Sequence, residues 1–280
     1  MSVHPVLSGG PLLIGHRGAA GLAPENTLRS FREAVDRWAV DMIELDVRAT
    51  ADGRCVVIHD ATVDRTTNGT GPVAGMTLEA LQSLDAGYRF TDADGGHPFR
   101  GRGRGIRVPT FDEVLTAFPD LPFVAEIKVG TAQAPLLETI RAHDAADRVV
   151  VAGMEHADRS LFHDYPGPVS ATTRDLWRFY TLHRLHLSRL WPKRADVFQV
   201  PELHPWDGSE AEGARRVVTP RFVRDADRKG VPVHVWTVNE TGAMARLLEW
   251  GVDGLITDRP DRGVRVLAEL TDRPLPPAAR

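Results

Sequence analysis

Residues Leu12–Phe31, with the sequence LLIGHRGAAGLAPENTLRSF, predict a strand, a loop and the start of a helix. The apolar run at the beginning is short and is typical of a buried strand. His16 and Arg17 stand side by side where this strand gives way to the loop. Two interpretations follow. The pair has no functional role, or it binds an anionic ligand that is chemically changed.

The same alternation of strand and helix continues along the chain. The predicted strands are PLLIGHRG, MIELDVRAT, RCVVIHD, PFVAEIKVG, RVVVAG, PVSATT, DVFQVPE, VPVHVWTVN and DGLITDRP. The helical patterns between them are NTLRSFREAVDRW, TFDEVLTAF, APLLETIRAH, DLWRFYTLHRLHLSRLW, TPRFVRDADRKG and TGAMARLLEWG. This order indicates a mainly parallel sheet. About eight such units favour an α/β fold of the TIM type, a (β/α)₈ barrel, over a doubly wound sheet. We predict a single domain over residues 1–280.

Residues 61–109 interrupt this rhythm after the second strand region. The segment is rich in Gly, Arg and Asp; TNGTG and DADGGHPFRGRGRG are turn and loop signals, and TLEALQSL predicts a short helix. A loop of this length inside a compact domain is usually functional, for example as a lid. The segment is therefore interpreted either as a small inserted subdomain near a site or as a tolerated surface insertion.

Composition limits the class of protein. The formal net charge is −4 and the pI is about 6.3, so no global basic field recruits nucleic acid or a membrane surface. The single cysteine, Cys55, permits no intrachain disulfide and is interpreted as a packing residue. The sequence has no secretory signal pattern and no apolar run long enough to span a bilayer. We expect a cytoplasmic protein.

Acidic side chains lie on two of the predicted strands. Glu44 and Asp46 are two residues apart, so both point to the same face, and Leu45 points to the other. Two like charges directed into a barrel are costly unless a cation neutralises them, and hard carboxylate oxygens suit Mg²⁺ or Ca²⁺. Glu126, on a later strand, is a candidate third ligand. The alternative is that the acids pair with arginines at the rim of the barrel.

Arg17 and Lys128 are the candidate anion-binding residues. An arginine matches two phosphate oxygens at once, and a lysine supplies a point charge. Each of the two also has a simpler interpretation, an ordinary salt bridge to a neighbouring carboxylate.

Two histidines complete the constellation. His16 and His59 lie at the ends of predicted strands, where the active sites of parallel barrels form. Cleavage of a phosphodiester needs a base and an acid, and histidine serves both purposes near neutral pH. A lone histidine at a strand end is more often structural. His183 and His186 lack acidic and cationic company and are interpreted as helix surface or packing residues.

The motifs that carry these residues resemble one enzyme family. GHRG, PENTL, IELDV, VVIHD, VDRTTNGTG, PTFDEVL, AEIK, VWTVN and DGLITDRP occur in the order seen in glycerophosphodiester phosphodiesterases. The resemblance extends from about Leu12 to about Pro260. It implies a TIM-type barrel and metal-dependent hydrolysis of a glycerophosphodiester to sn-glycerol 3-phosphate and an alcohol. It also matches residues 61–109 to the inserted subdomain that covers the pocket in that family.

The resemblance implies the following roles. The acid–base pair is His16 and His59; the ligands of Mg²⁺ or Ca²⁺ are Glu44, Asp46 and Glu126; the substrate-binding residues are Arg17, Lys128 and Trp236. Asn26 and Thr27 are interpreted as a helix N-cap, and Asp258 as a cap of the last helix. Glu202 and His204 are either site residues after the sixth strand or loop residues.

Two alternative functions share these residues. One is a phospholipase D-like cleavage of lysophospholipids or sphingolipids, which needs an apolar channel. The other is a noncatalytic barrel that binds metal and phosphate esters, although binding alone needs no acid–base pair. The sequence leaves the oligomeric state, the headgroup, the metal and the nucleophile open; the nucleophile is water or a hydroxyl of the substrate.

Overall fold

A ring of parallel strands forms the centre of the computed structural model, which describes residues 3–101, 105–204 and 215–279. The strands are β1 Leu12–His16, β2 Met42–Ala49, β3 Cys55–Val57, β4 Phe123–Ile127, β5 Val149–Ala152, β6 Phe198–Pro201, β7 Leu203–His204, β8 Arg215–Arg216, β9 Val233–Trp236 and β10 Gly254–Thr257. The order around the sheet is β5-β4-β2-β1-β10-β9-β6. The short β7 and β8 form a separate antiparallel pair.

Helices surround this sheet. They are α1 Leu28–Arg32, α2 Leu78–Gln82, α3 Phe111–Ala117, α4 Gln133–Ala142, α5 Thr173–Arg184, α6 Pro220–Asp227, α7 Thr241–Glu249 and α8 Pro260–Leu270. A π-helical turn, Glu33–Arg37, continues α1. Threonine N-caps, at Thr27, Thr110 and Thr172 for example, accept a hydrogen bond from the first turn of the helix that follows.

Two residues close the ring between β5 and β6. Val169 pairs in parallel with Val151, and Ser170 pairs in parallel with Val197. The predicted strand PVSATT is therefore reduced to two bridging residues, which occupy the fifth position of an eight-membered barrel. The predicted α/β barrel is confirmed.

The third predicted strand is not a member of the ring. β3 pairs with β2 in antiparallel orientation, with Val47 opposite Val57. The prediction that VVIHD ends at the carboxyl edge of a parallel strand was therefore wrong. β2 is long and β3 folds back along it, so the chain returns to Asp46, whose carbonyl accepts a hydrogen bond from the backbone N–H of Ile58. The β2–β3 hairpin therefore still brings His59 to the carboxyl edge of the barrel, although β3 is not a parallel strand of it.

Apolar residues fill both sides of the barrel wall. The larger clusters lie between the strands and the helices, where Leu45 and Ile43 are fully buried. A smaller cluster inside the ring contains Ile14, Met42, Val124, Val150, Val197 and Ile256. The alternation of these two sets along each strand follows from the two-residue period of β-structure.

The segment 61–109 has a small apolar cluster of its own. Its buried members, together with two residues of the β3 region, are Val56, Ile58, Val63, Val73, Leu81, Ala86 and Val108. The short helix expected at TLEALQSL is α2. Cys55 is free and buried, and burial raises the pKa of its thiol to about 12, so the side chain stays protonated and packs as an apolar group.

His234 is a titratable group sealed inside the barrel wall. The side chain is fully buried on β9, and neither ring nitrogen has a hydrogen-bond partner among the described residues. Burial lowers its pKa to about 4, because a protonated imidazole would lose its hydration without gaining a partner.

This buried imidazole predicts a loss of stability in acid. An unfolded chain protonates His234 below a pKa of about 6.5, whereas the folded chain resists protonation until about 4. The stabilising contribution is complete above the unfolded pKa and falls as the pH drops towards 4. We expect His234 to account for about 2 kcal/mol of the stability lost between about pH 7 and about pH 5. Urea unfolding at both pH values measures this loss. Between the two pH values, a His234→Leu variant should lose about 2 kcal/mol less stability than the wild type.

Candidate active site

A cavity of about 300 Å³ opens at the carboxyl ends of the barrel strands. The predicted site residues among its lining are His16, Arg17, Glu44, His59, Glu126, Lys128 and Trp236. Residues from β1, β2, β4 and β9 and from the loop after β3 therefore meet in one place. The remaining wall is neutral and includes Met154, Ser170, Gln199 and Ile256.

Sheet register brings the three acids together. Asp46 stands opposite Glu126 in the β2–β4 pair, and Glu44 stands opposite His16 in the β1–β2 pair. One carboxylate oxygen from each of Glu44, Asp46 and Glu126 lies within 4.8 Å of the other two. Because neighbouring parallel strands end at the same edge of the sheet, this spacing follows from the two-residue offset of Glu44 and Asp46.

The electrostatics of this cluster suit a hard divalent cation. Burial, together with the charge of Asp46, raises the pKa of Glu44 to about 8, so a second buried negative charge beside Asp46 is unfavourable unless a cation offsets it. Burial acts in the same direction on Asp46, but the charges of Lys128 and Arg17 outweigh it and lower the pKa of that carboxyl. Three oxygen donors at this spacing fit Mg²⁺ or Ca²⁺.

The two cations lie against the acids. Arg17 Nε is 3.1 Å from Asp46 Oδ2, and its Nη1 donates to Glu25 Oε1 at 2.9 Å. Lys128 Nζ is 2.7 Å from Glu126 Oε1 and 3.1 Å from Asp46 Oδ1. The ion pairs considered as the simpler interpretation are thus present, and they fix both cations at the wall of the cavity.

The loop after β1 depends on two glycines. A Cβ at Gly15 would lie 2.2 Å from the carbonyl oxygen of Gly18, and Gly18 itself has a φ of +91°. Arg17 between them has a φ of +50°, which is uncommon for a residue with a side chain. This tight turn lets the backbone N–H of Arg17 donate to Glu44 Oε2 at 3.2 Å.

His16 is oriented by a carboxylate at the end of β10. Its Nδ1 is 2.6 Å from Asp258 Oδ1, and Asn239 Nδ2 donates to Asp258 Oδ2 at 2.8 Å. Burial disfavours the charged imidazole, but the Asp258 hydrogen bond and the charges of Glu44 and Asp258 outweigh it and raise the pKa of His16. The prediction that Asp258 caps the last helix was wrong, since α8 has Arg259 at its N-cap without a side-chain hydrogen bond.

His59 is oriented in a similar way by the adjacent Asp60, which an arginine of the inserted segment holds in place. Its Nδ1 is 2.6 Å from Asp60 Oδ1. Arg65 Nε donates to Asp60 Oδ2 at 2.6 Å, and Arg65 Nη1 and Nη2 donate to the two oxygens of Glu25 at 2.7 and 2.8 Å. Since Glu25 also holds Arg17, Arg65 links the residues that position His59 and Arg17.

Asn26 belongs to the site rather than to a helix cap. Its Nδ2 donates to Asp46 Oδ2 at 2.9 Å, and its Oδ1 accepts from the backbone N–H of Asp46 at 3.3 Å. Thr27 alone caps α1, by accepting from the N–H of Ser30 at 3.2 Å. The motif PENTL therefore supplies both a residue that binds Asp46 and a helix N-cap. Only the N-cap can be predicted from the neighbouring sequence.

Four further predicted residues have different outcomes. Trp236 lines the cavity and is 38% exposed, as expected of a side chain at a mouth. Glu202 pairs with Arg216 and Arg246 and is not among the lining residues of this cavity. The side chain of His204 lies outside the described residues. His183 is buried, as expected of a packing residue, but the expectation that it lacks charged neighbours was wrong, since its Nδ1 is 2.7 Å from Asp225 Oδ2 and its carbonyl accepts from Arg221.

The chain is similar to proteins of one known family. The model of the glycerophosphoryl diester phosphodiesterase family matches residues 16–262. A glycerophosphodiester phosphodiesterase of Caldanaerobacter subterraneus subsp. tengcongensis is 34% identical over 263 residues, which cover 89% of this chain and 95% of the relative.

Solved structures show the same fold. The glycerophosphoryl diester phosphodiesterase domain of a Mycobacterium tuberculosis protein superimposes with a TM-score of 0.79 at 21% identity, covering 93% of this chain and 100% of that chain. An Oleispira antarctica phosphodiesterase, solved in complex with the product sn-glycerol-3-phosphate, gives a TM-score of 0.72 at 21% identity, covering 92% of this chain and 97% of that one.

The barrel and the cavity at its carboxyl edge, together with these relatives, define a hydrolase of the phosphodiesterase class. The chain belongs to the glycerophosphoryl diester phosphodiesterase family. No helix in the described ranges is both long enough and apolar enough to cross a membrane.

The Arg65 contacts predict a positioning role. We expect Arg65→Gln to lower kcat/KM for a phosphodiester about 10- to 100-fold. This is the range found when a hydrogen bond that orients a functional residue is removed. KM should rise because Glu25 and Arg17 lose their anchor, and kcat should fall because Asp60 and His59 lose theirs.

Steady-state kinetics with Arg65→Lys and Arg100→Gln provide the comparison. The lysine keeps one charged donor and should recover part of the activity. Arg100 is exposed in the same segment and donates to the carbonyl of Tyr88, away from the cavity. Equal kcat and KM for Arg65→Gln and Arg100→Gln would contradict the positioning role.

Proposed function

We propose that this chain hydrolyses glycerophosphodiesters to sn-glycerol 3-phosphate and an alcohol, with Mg²⁺ or Ca²⁺ as cofactor. The observation that carries the proposal is that two acids, two cations and two histidines line one cavity, with the buried Asp46 grouped with the two acids, in a chain that belongs to this family. The Oleispira antarctica phosphodiesterase in complex with sn-glycerol-3-phosphate supports the assignment of the product.

The anionic phosphate is bound by this chain's own groups. Arg17 and Lys128 supply positive charge at the cavity wall and stabilise the charge that develops on the phosphorus oxygens. Glu44, Asp46 and Glu126 would hold the divalent cation. When bound, this ion polarises a nonbridging phosphate oxygen and lowers the pKa of an adjacent hydroxyl or water.

The two histidines transfer the protons. One removes a proton from the nucleophile as its oxygen bonds to phosphorus, and the other donates a proton to the alcohol oxygen as its bond to phosphorus breaks. In each ring Nδ1 is engaged by a carboxylate, Asp258 for His16 and Asp60 for His59, which leaves Nε2 for the substrate. The nucleophile is water, or the glycerol hydroxyl by way of a cyclic phosphate.

A cavity of about 300 Å³ favours a compact substrate over a lysophospholipid. Trp236 is proposed to contact the glycerol or the headgroup. The deciding experiment measures glycerol 3-phosphate release from glycerophosphocholine, glycerophosphoethanolamine and glycerophosphoglycerol, each with Mg²⁺, Ca²⁺ or EDTA.

Metal-dependent release would support the proposal and rank the headgroups. If only lysophospholipids or sphingolipids were cleaved, the same residues would instead carry out the phospholipase D-like reaction. If every substrate remained intact, the noncatalytic metal- and phosphate-binding barrel would be the better description.

A further inference from the structure

We propose that the surface formed by α5 and the turn after it binds anionic phospholipid bilayers. This surface consists of the exposed side chains of residues 173–194 and is called the α5 surface below. It shares no residue with the cavity that contains His16 and His59. The proposal concerns association of the protein with a membrane surface and is independent of the proposed reaction.

Large apolar side chains are unusually exposed here. Among the described residues, nine large apolar side chains are exposed. Four of these nine belong to the α5 surface, in the fourteen positions from 177 to 190. Their exposed fractions are 36% for Trp177, 62% for Leu185, 44% for Leu187 and 69% for Leu190. Single exposed leucines need no explanation, whereas a concentration of this kind marks a contact surface.

Positive charge surrounds these side chains. The exposed arginines of the segment are Arg174, Arg178, Arg184, Arg189 and Arg194. Its only acidic residue is Asp175, which is buried and lies 3.5 Å from Arg159. The surface is therefore strongly cationic on a chain whose net charge is −4. Local attraction to an anionic surface does not require a basic protein as a whole.

A cationic cavity of about 340 Å³ lies beside the exposed leucines. Its lining includes the three arginines Arg184, Arg216 and Arg221 and the imidazoles of His183 and His186. Arg221 is held in place by the carbonyl of His183 and by Nε2 of His186, with 3.1 Å between Nη1 and that nitrogen. Arg184 forms no ion pair with any residue that the structure describes.

The acids near this cavity only partly offset its charge. Asp225 binds His183, Arg221 and Arg228, and Glu202 binds Arg216 and Arg246. Among the residues that the structure describes, arginines outnumber the acids around the cavity, which therefore suits a phosphate group.

The pattern of apolar and charged groups favours a bilayer over an acidic protein. In the sequence the exposed leucines alternate with polar and basic residues, as in Arg184–Leu187 and Arg189–Leu190, whereas the core of a protein interface is depleted of charged residues. At the boundary of headgroups and acyl chains, each leucine can insert alone while each arginine stem lies along it and its guanidinium reaches a lipid phosphate. Leu185 and Leu187 flank His186 of the cavity, so a phosphate there and acyl chains beside it match one lipid molecule.

Vesicle sedimentation with the full chain tests the proposal. The probes are vesicles of phosphatidylcholine alone and vesicles that also contain phosphatidylglycerol. We expect binding to the anionic vesicles that weakens as salt is added, and no binding to phosphatidylcholine alone. Absence of binding to anionic vesicles at low salt would overturn the proposal.

Two double variants separate charge from insertion. Arg184→Gln with Arg189→Gln should weaken partitioning about 30-fold, since each arginine near such a membrane contributes about a fivefold factor. Leu187→Ser with Leu190→Ser should weaken it about tenfold, because less apolar surface leaves water. The matched controls are Arg141→Gln with Arg265→Gln and Leu161→Ser with Leu270→Ser, which change exposed residues elsewhere.

The control variants should bind as the wild type does, and all variants should hydrolyse a soluble phosphodiester as the wild type does, which confirms that they are folded. Equal losses in the control and test variants would overturn the assignment to the α5 surface. Soluble poly-glutamate provides the remaining comparison. If it bound as tightly as the vesicles and the serine variant bound normally, the surface would fit an acidic protein instead, and the lipid proposal would be wrong.

Discussion

Replacing His16 or His59 by alanine should lower kcat by about 10²- to 10⁴-fold, with little change in the folded structure. Each imidazole lines the cavity, and each has a carboxylate on Nδ1 that orients the ring. Loss of either removes one of the two proton transfers on which cleavage depends. Turnover of the best glycerophosphodiester, measured for both variants, tests this directly.

A better leaving group assigns the acid. An alkoxide needs a proton as it departs, whereas p-nitrophenolate departs without one. On a p-nitrophenyl phosphodiester, the variant that lacks the general acid should therefore recover most of its activity, and the variant that lacks the base should not. The experiment decides between His16 and His59, whose geometry is alike.

His163→Ala is the matched control because its side chain is 75% exposed and outside the cavity. It should retain the wild-type kcat. The acid–base assignment would be wrong if His16→Ala and His59→Ala each retained kcat within a few-fold of that control.

The meeting of the acids was predictable because it depends on short-range geometry. Glu44 and Asp46 share a face by the period of a strand, and Glu126 is the last residue but one of a neighbouring parallel strand. Arg17 follows β1 by one residue and Lys128 follows β4 by one, so the carboxyl-edge rule places both. A pattern of apolar residues does not give the direction of a strand. The sequence therefore predicts β3 as a parallel member of the ring, whereas it is antiparallel.

The residues that orient the histidines were missed for a different reason. Asp258 reaches His16 across 242 positions in sequence, and Arg65 reaches Glu25 across 40. Such pairs depend on closure of the whole barrel and on the path of the inserted segment. Asp258 stands directly before a helix, so the cap was the simplest local interpretation. The adjacent HD pair was the one available signal for Asp60.

Adding Mg²⁺ or Ca²⁺ should raise the thermal midpoint of the wild-type protein, and Glu44→Gln should abolish that rise. A cation that binds only the folded chain stabilises it by about 2.7 kcal/mol at a hundred times its dissociation constant. Differential scanning calorimetry with and without EDTA measures the shift without reference to catalysis.

The same variant separates metal binding from folding. Because burial and Asp46 raise the pKa of Glu44 to about 8, this carboxyl is largely protonated at neutral pH when no cation is bound. The neutral glutamine resembles it in size and polarity, so Glu44→Gln should unfold at or above the midpoint of the metal-free wild type. Its turnover should nevertheless fall by about 10²- to 10³-fold, since the charge that holds the cation is gone.

Glu138→Gln removes an exposed carboxylate of α4 and should leave both the metal-induced shift and the turnover unchanged. An equal metal-induced shift in Glu44→Gln and wild type would place the cation elsewhere. A Glu44→Gln midpoint far below that of the metal-free wild type would mean that the charge of the carboxylate stabilises the fold, through its contact with His16, whose Nε2 is 3.8 Å from Glu44 Oε2. The expected pair of results, intact stability and lost metal response, arises only if the buried acids are kept together to bind a cation.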